Sequence, residues 1–377
     1  MFFSNVTDQI IKFFGSIIFK PKLEIPEIHN AEDYQKVIIS IIKWINELFP
    51  SPRSNWELLK AVKNIHSEIF VFQQKFSSNI PERLFVKRFI IQQDVKGKFD
   101  YESLDREYSA LVLLGNSDNS NGVFIPAVFG KNYELCSILM SYCEGRSFFN
   151  VLFQSPIKLF INKYNFPQYT TSLKNLGRWL KEFHDLETNI KTSQNDIRVK
   201  LDNDLLDIIT RVQNLGISAK SDFTPELCKK IISTASDLTK QIVMQRKILK
   251  NVHGDLTLAN ILYDSGTLYL LDYGFWGAGF PEDDLARLYL DLRNIGCYSM
   301  LLKSSKKGIL SSAFFSGYGI KQGCPDLEDA TLRFYLIRHT IINIYMYSFI
   351  AGNKRFLNPF ICRLFYCFQK NFLLSII

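Results

Sequence analysis

The spacing of hydrophobic positions changes several times along the chain, and each change predicts a change of structure. Between residues 30 and 49, apolar side chains return every three or four positions, which is typical of one face of a helix. Asn30 can cap this helix, and Pro50 can end it. Residues 69–72 and 84–89 are instead short β-branched and aromatic runs, typical of strands. The pattern predicts a helix followed by a strand-rich region.

The later pattern separates a strand-rich part from a mainly helical part. Up to residue 140, one further helix and two further strands are predicted, over 102–114, 124–129 and 137–140. Strands with one helix make a small antiparallel α+β unit. Beyond it, helices are predicted over 173–186, 201–215, 225–249 and 283–302, interrupted by a strand-rich stretch over 252–274. The expected parts are an N-terminal helical extension (1–52), a β-rich lobe (53–140), a connector (141–146) and a mainly helical lobe (147–377).

Composition narrows the class of protein. Hydrophobic residues make up 47% and charged residues 22% of the chain, which excludes a disordered or low-complexity protein. The net charge of +8 permits anionic ligands such as nucleotides but gives no argument for nucleic acid binding. The seven cysteines include no C-x-x-C pair, so neither a disulfide framework nor a structural zinc site is expected. We therefore expect a reducing, cytoplasmic location.

Membrane insertion is not predicted. No run reaches the roughly 18 uncharged apolar residues that a spanning helix needs. The first twenty residues lack the basic leading region and small-residue cleavage site of a secretory signal. The amphipathic stretch 10–19 offers one alternative, peripheral contact of the N-terminus with a membrane surface.

The strand-rich stretch in the second half carries the candidate chemistry. Residues 261–263 and 268–271 alternate apolar side chains around a Gly-containing turn, so we predict a hairpin. Its geometry sets Asn260 and Asp272 almost opposite each other at the open end, with Asp255 in the loop just before. Two carboxylates and one amide oxygen then converge. Such hard oxygen ligands suit Mg²⁺, which binds proteins through one or two carboxylates together with substrate phosphates.

This stretch also resembles a known family. Residues 253–274, with their H-G-D-x4-N pattern and terminal Asp, continue into a G-F-P-E-D-D-L-A segment over 279–286. The combination is similar to the aminoglycoside phosphotransferase and choline kinase-like family of small-molecule kinases. In outline the match covers about 325 residues, from Arg53 to the end. The resemblance implies a bilobed, protein-kinase-like α+β fold with a small antiparallel-sheet N-lobe and a large, mainly helical C-lobe.

The resemblance assigns a role to each residue of the motif. It implies that Asp255 is the catalytic base or orients the acceptor hydroxyl. Asn260 and Asp272 would hold the Mg²⁺ ions that bridge the phosphates of ATP. His253 and Asp284 would support the catalytic loop structurally, although a general base at His253 is an alternative.

Phosphoryl transfer in this fold also needs a lysine on the third strand and a glutamate on the following helix. Lys87 shares a strand face with Phe85, because side chains alternate with period two. Glu107 borders the buried stripe of its predicted helix. We therefore predict a Lys87–Glu107 ion pair, with the adjacent Arg88 and Arg106 as the alternative choices to Lys87 and Glu107 respectively.

Two further segments are expected to contact the nucleotide. Ser137–Gly145 resembles the family's hinge, where backbone groups from Ser141 to Cys143 would bind the adenine edge. The first hairpin of the N-lobe usually has glycines that approach the phosphates, but residues 63–68 contain none. Ser67 can donate a hydrogen bond there, and we predict it as a phosphate contact.

The acceptor is expected to face Asp255 from the C-lobe. Residues 185–250 contain nine acidic and eleven basic residues, so a polycationic aminoglycoside is less favoured than a sugar, an amino alcohol or a glycoconjugate precursor. Aromatic side chains stack on sugars and cage quaternary ammonium groups, and Trp276 is the candidate substrate contact.

Two alternative functions stay open. A protein kinase is disfavoured because no arginine precedes Asp255 and no Asp-Phe-Gly or Ala-Pro-Glu signature follows. A non-catalytic nucleotide-binding or scaffold protein is motivated by the glycine-free loop. The intact set Lys87, Asp255, Asn260 and Asp272 opposes it.

Overall fold

A computed structural model describes most of the chain. The described residues are 31–50, 56–63, 67–74, 81–90, 99–115, 121–153, 166–186, 193–218, 222–245, 247–300, 308–320, 326–351 and 359–377. The amphipathic stretch 10–19 and loop residues 64–66 lie outside them.

Within the described residues, strands and helices follow the predicted order. The strands are β1 (Trp56–Lys63), β2 (Ser67–Gln74), β3 (Arg83–Phe89), β4 (Val123–Phe124), β5 (Val128–Asn132), β6 (Ser137–Ser141), β7 (Arg146–Ser147), β8 (Lys250–Val252), β9 (Ile261–Asp264), β10 (Thr267–Leu270) and β11 (Gly277–Gly279). The helices are α1 (Ala31–Leu48), α2 (Tyr101–Gly115), α3 (Phe148–Phe153), α4 (Phe166–Asp185), α5 (Gln194–Ile217), α6 (Pro225–Met244), α7 (Pro281–Met300), α8 (Ile309–Tyr318), α9 (Ala330–Ala351) and α10 (Pro359–Ile376). The fold is a bilobed α+β arrangement, as predicted.

The first sheet has five antiparallel strands in the order β1-β2-β3-β6-β5. Helix α1 confirms the predicted helix and covers one face of this sheet. Its Ile41 and Ile45 pack in a buried cluster with Phe70 and Phe72 of β2. Burying such side chains stabilises the sheet by about 1.5–3 kcal/mol each. Helix α2 contacts β3, β5 and β6 of the same sheet, and its Leu104 and other buried positions belong to the main core.

The predicted strand 124–129 is wrong in its extent, because the structure divides it. Val123–Phe124 forms β4, which pairs in parallel with β10, and Val128–Asn132 forms β5 in the first sheet. Pro126 lies between them, and a proline has no N–H to give to a strand ladder. The break lets the chain leave one sheet for the other, so β4 links the N-terminal half to the hairpin β9–β10.

The predicted helix 225–249 is also too long. Helix α6 ends at Met244, and Lys250–Val252 forms β8, which pairs with β11. Strand pairing with a partner about 25 residues later overrides the local helical pattern. Among the described residues, none of the helices combines the length and hydrophobicity needed to cross a bilayer. The boundaries at residues 52, 140 and 146 stay predictions.

Candidate active site

The predicted hairpin is confirmed, and it brings two site residues together. Strands β9 and β10 pair antiparallel from Asp264 opposite Thr267 to Ile261 opposite Leu270. Ser265 and Gly266 form the turn with φ of 48° and 101°, the positive values that a two-residue hairpin turn requires. At the open end, the Leu271 N–H donates to the Asn260 carbonyl at 2.9 Å. Asn260 and Asp272 therefore leave the hairpin side by side.

His253 connects the catalytic loop to the strand that precedes Asp272. Its ring is buried, and Nε2 lies 3.0 Å from the carbonyl oxygen of Leu271. A carbonyl only accepts hydrogen bonds, so Nε2 carries the proton and Nδ1 is an acceptor. The Asp255 N–H points to that Nδ1 at 3.4 Å. Both ring nitrogens are thus engaged with backbone, which favours the predicted structural role over a general base.

Asp284, at the start of α7, holds the beginning of the catalytic loop. Its carboxylate accepts the N–H of His253 at 2.7 Å and the N–H of Gly254 at 2.9 Å. His184 of α4 lies 3.1 Å from the same carboxylate. Asp284 is only 1% exposed. Because one buried carboxylate accepts two loop N–H groups, this contact fixes the backbone position immediately before Asp255.

Gly254 permits the close approach of another segment, and replacing it should disturb the site. Its φ is +83°, and a Cβ there would lie 2.4 Å from the backbone oxygen of Phe275. Left-handed backbone costs a residue with a Cβ roughly 1–2 kcal/mol before any clash is counted. We expect Gly254→Ala to lower the free energy of unfolding by at least about 2 kcal/mol in chemical denaturation.

The matched control is Gly277→Ala in β11. A Cβ at Gly277 meets nothing within 4 Å, and its φ is not positive. We expect a change of less than about 0.5 kcal/mol for this variant. Equal destabilisation by both substitutions would contradict the assigned role of Gly254.

Asn260 orients the carboxylate of Asp255. The Asn260 side-chain Nδ2 donates to the Asp255 Oδ2 at 3.0 Å and to the Asp255 backbone oxygen at 2.9 Å. Both partners only accept hydrogen bonds, so the amide nitrogen must face them. The Oδ1 oxygen of Asn260 takes part in neither of these two contacts.

The predicted ion pair between strand β3 and helix α2 is present. The Lys87 Nζ lies 2.6 Å from Oε2 of Glu107 and 2.6 Å from Oδ1 of Asp272. The two alternative choices make other contacts, since Arg88 pairs with Glu68 and Arg106 donates to the carbonyl of Gly274. One ammonium group therefore joins the N-terminal sheet, helix α2 and the end of the hairpin.

Burial and charge decide the protonation of this cluster. Burial raises the pKa of Glu107 to about 7, although the Lys87 ammonium opposes the shift. Burial would lower the pKa of Lys87, but Glu107 and Asp272 outweigh it, so the net pKa is raised. Burial would raise the pKa of Asp272, but the Lys87 ammonium outweighs burial, so the net pKa of Asp272 is lowered. Lys87 thus keeps a positive charge at the cleft.

The donor set fits Mg²⁺. Asp272 has a φ of 67°, a left-handed backbone, and its carboxylate is half-exposed. Together with the Asn260 oxygen it offers hard oxygen ligands, which Mg²⁺ prefers alongside phosphate oxygens and water. No group of three or more His, Cys, Asp or Glu side chains with metal-site geometry occurs in the part of the chain that the structure describes.

Sequence reasoning missed Arg287 and Asp291 of α7. Arg287 Nη2 lies 3.0 Å from Oδ1 of Asp255. Asp291 accepts the N–H of Leu258 at 2.9 Å through Oδ2. The available signal was their spacing from Asp284, three and seven positions, which puts all three on one helix face.

Of the predicted hinge and loop residues, Ser141 ends β6 and Ser67 begins β2, whereas Cys143 lies between β6 and β7. The Ser141 N–H donates to the Ala127 carbonyl at 2.8 Å, so this amide is already used inside the sheet. Cys143 is half-buried, and burial raises the pKa of its thiol to about 12. Ser67 is the first residue of β2, buried opposite Phe89.

The two aromatic residues at 275 and 276 differ in their exposure. The indole N–H of Trp276 is buried without a hydrogen-bond partner, and its ring packs against the core. Phe275 is 66% exposed and its backbone oxygen faces Gly254. Phe275 thus offers more surface to a bound molecule than the predicted contact Trp276.

Comparison with known proteins identifies the family. The sequence model described as Phosphotransferase enzyme family matches residues 87–301. That range is more than half of the 377 residues, and the chain belongs to this family. A comparison with curated proteins gives no match.

Solved structures share the fold at low identity. A Plasmodium vivax ethanolamine kinase is 11% identical with a TM-score of 0.54, over 98% of this chain and 92% of that chain. A glucosamine kinase bound to glucosamine, ADP and inorganic phosphate is 12% identical with a TM-score of 0.55, over 87% and 84%. An aminoglycoside phosphotransferase in ternary complex with AMP-PNP and hygromycin B is 13% identical with a TM-score of 0.52, over 89% and 97%.

Family and fold agree with the geometry of the site. The protein-kinase-like fold predicted from the motif is confirmed. The chain is an enzyme, a small-molecule phosphotransferase.

Proposed function

We propose that this enzyme transfers the γ-phosphate of ATP to a hydroxyl group of a small molecule in a Mg²⁺-dependent reaction. One observation carries the proposal. Lys87 lies 2.6 Å from both Glu107 and Asp272, at the hairpin end that also carries Asn260. Asn260 in turn bonds Asp255. Phosphoryl transfer needs this combination, a fixed cation and hard oxygen ligands beside a carboxylate that aligns a hydroxyl.

Each residue has one task in the proposed reaction. Asp272 and Asn260 would hold Mg²⁺, which supplies positive charge to the phosphate oxygens when bound. Lys87, kept in place by Glu107, would bind the phosphates from the other side of the cleft. Asp255 would accept a hydrogen bond from the acceptor hydroxyl and orient its oxygen toward the γ-phosphorus.

Further residues would hold the catalytic loop and the nucleotide in position. His253 and Asp284 would brace the loop through its backbone, as their hydrogen bonds support. For the adenine we propose the backbone of the 141–146 connector, with Cys143 as the main contact, because the Ser141 amide is engaged in the sheet. Ser67 stays our proposed phosphate contact.

The acceptor we favour is a sugar, an amino alcohol or a glycoconjugate precursor. The balanced charge of residues 185–250 supports this choice over a polycationic aminoglycoside. Phe275, exposed beside the catalytic loop, supports a ring or alkyl group that can pack on an aromatic face. We propose the cytoplasm as the compartment, where free thiols such as Cys136 stay reduced.

A non-catalytic nucleotide-binding protein is the second candidate, motivated by the glycine-free segment 63–68. Three charged contacts argue against a non-catalytic protein. Lys87 pairs with Glu107 and with Asp272, and Arg287 pairs with Asp255. A binder that performs no chemistry has no need of an oriented carboxylate at the acceptor side.

The test has two steps. We expect ATP to raise the thermal midpoint only with Mg²⁺ present, because a ligand at 100 times its Kd stabilises the folded state by about 2.7 kcal/mol. Mass spectrometry of a pool of hydroxyl metabolites incubated with enzyme and Mg-ATP should then show an acceptor that gains one phosphoryl group.

The outcomes separate the candidates. Stabilisation by Mg-ATP with neither phosphorylated product nor ATP hydrolysis would favour the non-catalytic binder. A wild type that shows neither stabilisation nor hydrolysis would exclude both.

A further inference from the structure

Helix α7 contacts the catalytic loop at three points on one of its faces. Asp284, Arg287 and Asp291 are spaced by three and four residues, so their side chains follow each other along the helix. Asp284 binds the first amides of the loop, and Asp291 binds the N–H of Leu258 near its end. Arg287 lies between them and contacts the loop's only carboxylate, that of Asp255. This face of α7 therefore contacts the loop at its start, at Asp255 and near its end.

The two aspartates and the arginine act on different parts of the loop. Asp284 and Asp291 accept backbone N–H groups and so hold the path of the main chain. Arg287 instead contacts a side chain, with Nη2 at 3.0 Å from Oδ1 of Asp255. Backbone anchors leave the side-chain torsions of Asp255 free, so a separate contact must select its rotamer.

Both carboxylate oxygens of Asp255 have a fixed neighbour. Oδ2 accepts from the Asn260 amide at 3.0 Å, and Oδ1 faces the Arg287 guanidinium. A carboxylate has about four lone-pair positions, so these two contacts leave room for an acceptor hydroxyl. Arg287 and Asp255 are 22% and 28% exposed, partly shielded from water, where a charged contact is stronger than at the surface.

The electrostatics of Asp291 agree with this placement. Burial raises the pKa of Asp291 to about 6, Arg287 lowers it and Asp255 raises it further. Arg287 thus favours the charged form of Asp291 while it pairs with Asp255.

We propose that Arg287 is a positioning residue that fixes the carboxylate of Asp255 in the orientation required to align the acceptor hydroxyl. The inference rests on the proposed function, since it assigns Arg287 a part in that same reaction. A displacement of about 1 Å at a reacting group can cost on the order of 100-fold in rate. Removal of Arg287 should therefore lower kcat and leave the nucleotide site, built from Lys87, Asn260 and Asp272, intact.

The test compares Arg287→Met, Arg287→Lys and wild type with water as the acceptor, so that no acceptor need be known. We expect Arg287→Met to lower kcat for ATP hydrolysis roughly 10- to 100-fold, with the Kd for Mg-ATP changed less than about twofold. Arg287→Lys keeps the charge but loses the planar fork, so it should recover part of the loss.

Arg293→Met is the matched control. Arg293 belongs to the same helix and packs over the ring of Phe372 with a separation of 4.1 Å, so the substitution removes an arginine from α7 away from the loop. Its kcat should stay at the wild-type value. A melting curve of each variant shows that the folded protein is being compared, and Arg287→Lys serves if Arg287→Met does not fold.

A double variant separates positioning from general support. In an Asp255→Asn background the carboxylate that Arg287 orients is gone, so Arg287→Met should cost no further activity. Arg287 is not a positioning residue if Arg287→Met keeps wild-type kcat, loses Mg-ATP affinity by the same factor as kcat, or costs the same factor in both backgrounds. These results leave the proposed function standing, whereas a wild type that hydrolyses no Mg-ATP removes the function and this role with it.

Discussion

Asp255→Asn is expected to lower turnover strongly, to a small residual rate, while Mg-ATP still binds. The amide retains the size of the carboxylate but loses the negative charge that, in the proposed reaction, aligns the acceptor hydroxyl. Groups of this kind contribute roughly 10²- to 10⁴-fold to rate. The nucleotide ligands, Lys87, Asn260 and Asp272, are unchanged, so the Mg²⁺-dependent thermal shift with ATP should persist. Steady-state kinetics and thermal denaturation of the same preparation give both quantities.

Asp264→Asn is the control for this variant. Asp264 ends β9 at the far end of the same hairpin, where it is exposed and accepts a hydrogen bond from Ser265. Its substitution should change neither kcat nor binding. Retention of more than about a tenth of wild-type turnover by Asp255→Asn would refute the assigned role.

Lys87→Met should remove nucleotide binding and destabilise the fold together. Among the described residues, Lys87 is the cation paired with Glu107, which is 2% exposed, and with Asp272, and the substitution removes it. Breaking a buried ion pair by removing one partner typically costs about 3–5 kcal/mol. Phosphate binding loses the same charge, so we expect no Mg-ATP thermal shift and no measurable hydrolysis. Chemical denaturation and titration with nucleotide measure the two effects.

The double variant Lys87→Met/Glu107→Gln distinguishes stability from function. The amide of Glu107→Gln is neutral, so no unpaired charge remains at this buried position. Most of the free energy of unfolding should therefore return, while hydrolysis stays absent. Lys240→Met is the surface control, because the side chains of the Lys240–Asp237 pair are 69% and 60% exposed and the pair should contribute less than about 1 kcal/mol. Recovery of activity together with stability in the double variant would show that Lys87 acts only structurally.

Much of the site was predictable because its patterns are local. The alternation on both sides of a Gly-containing turn predicted the hairpin that sets Asn260 beside Asp272, and the period-two rule turned Lys87 to the same face as Phe85. The helical stripe then left Glu107 as the partner within reach. Each inference uses only a repeat of two or 3.6 residues and a short separation in sequence.

The errors concern contacts between distant segments. The break of the predicted strand 124–129 follows from Pro126 and from a partner, β10, that lies about 140 residues later. The end of α6 depends on the pairing of β8 with β11. No local pattern reports such pairings, because propensity is a weak preference that tertiary hydrogen bonds override.

By itself, the sequence determined the chemistry available to this protein: an H-G-D-x4-N loop, a hairpin that ends in Asp272, and a lysine and a glutamate on the correct faces of their elements. Only the tertiary structure decided how that chemistry is held. It buried Trp276 and exposed Phe275, engaged the Ser141 amide in the sheet, and brought Arg287 to Asp255 across 32 residues. The physical reason is that side-chain type and periodicity are encoded locally. The contact between a helix face and a loop exists only after the core has packed.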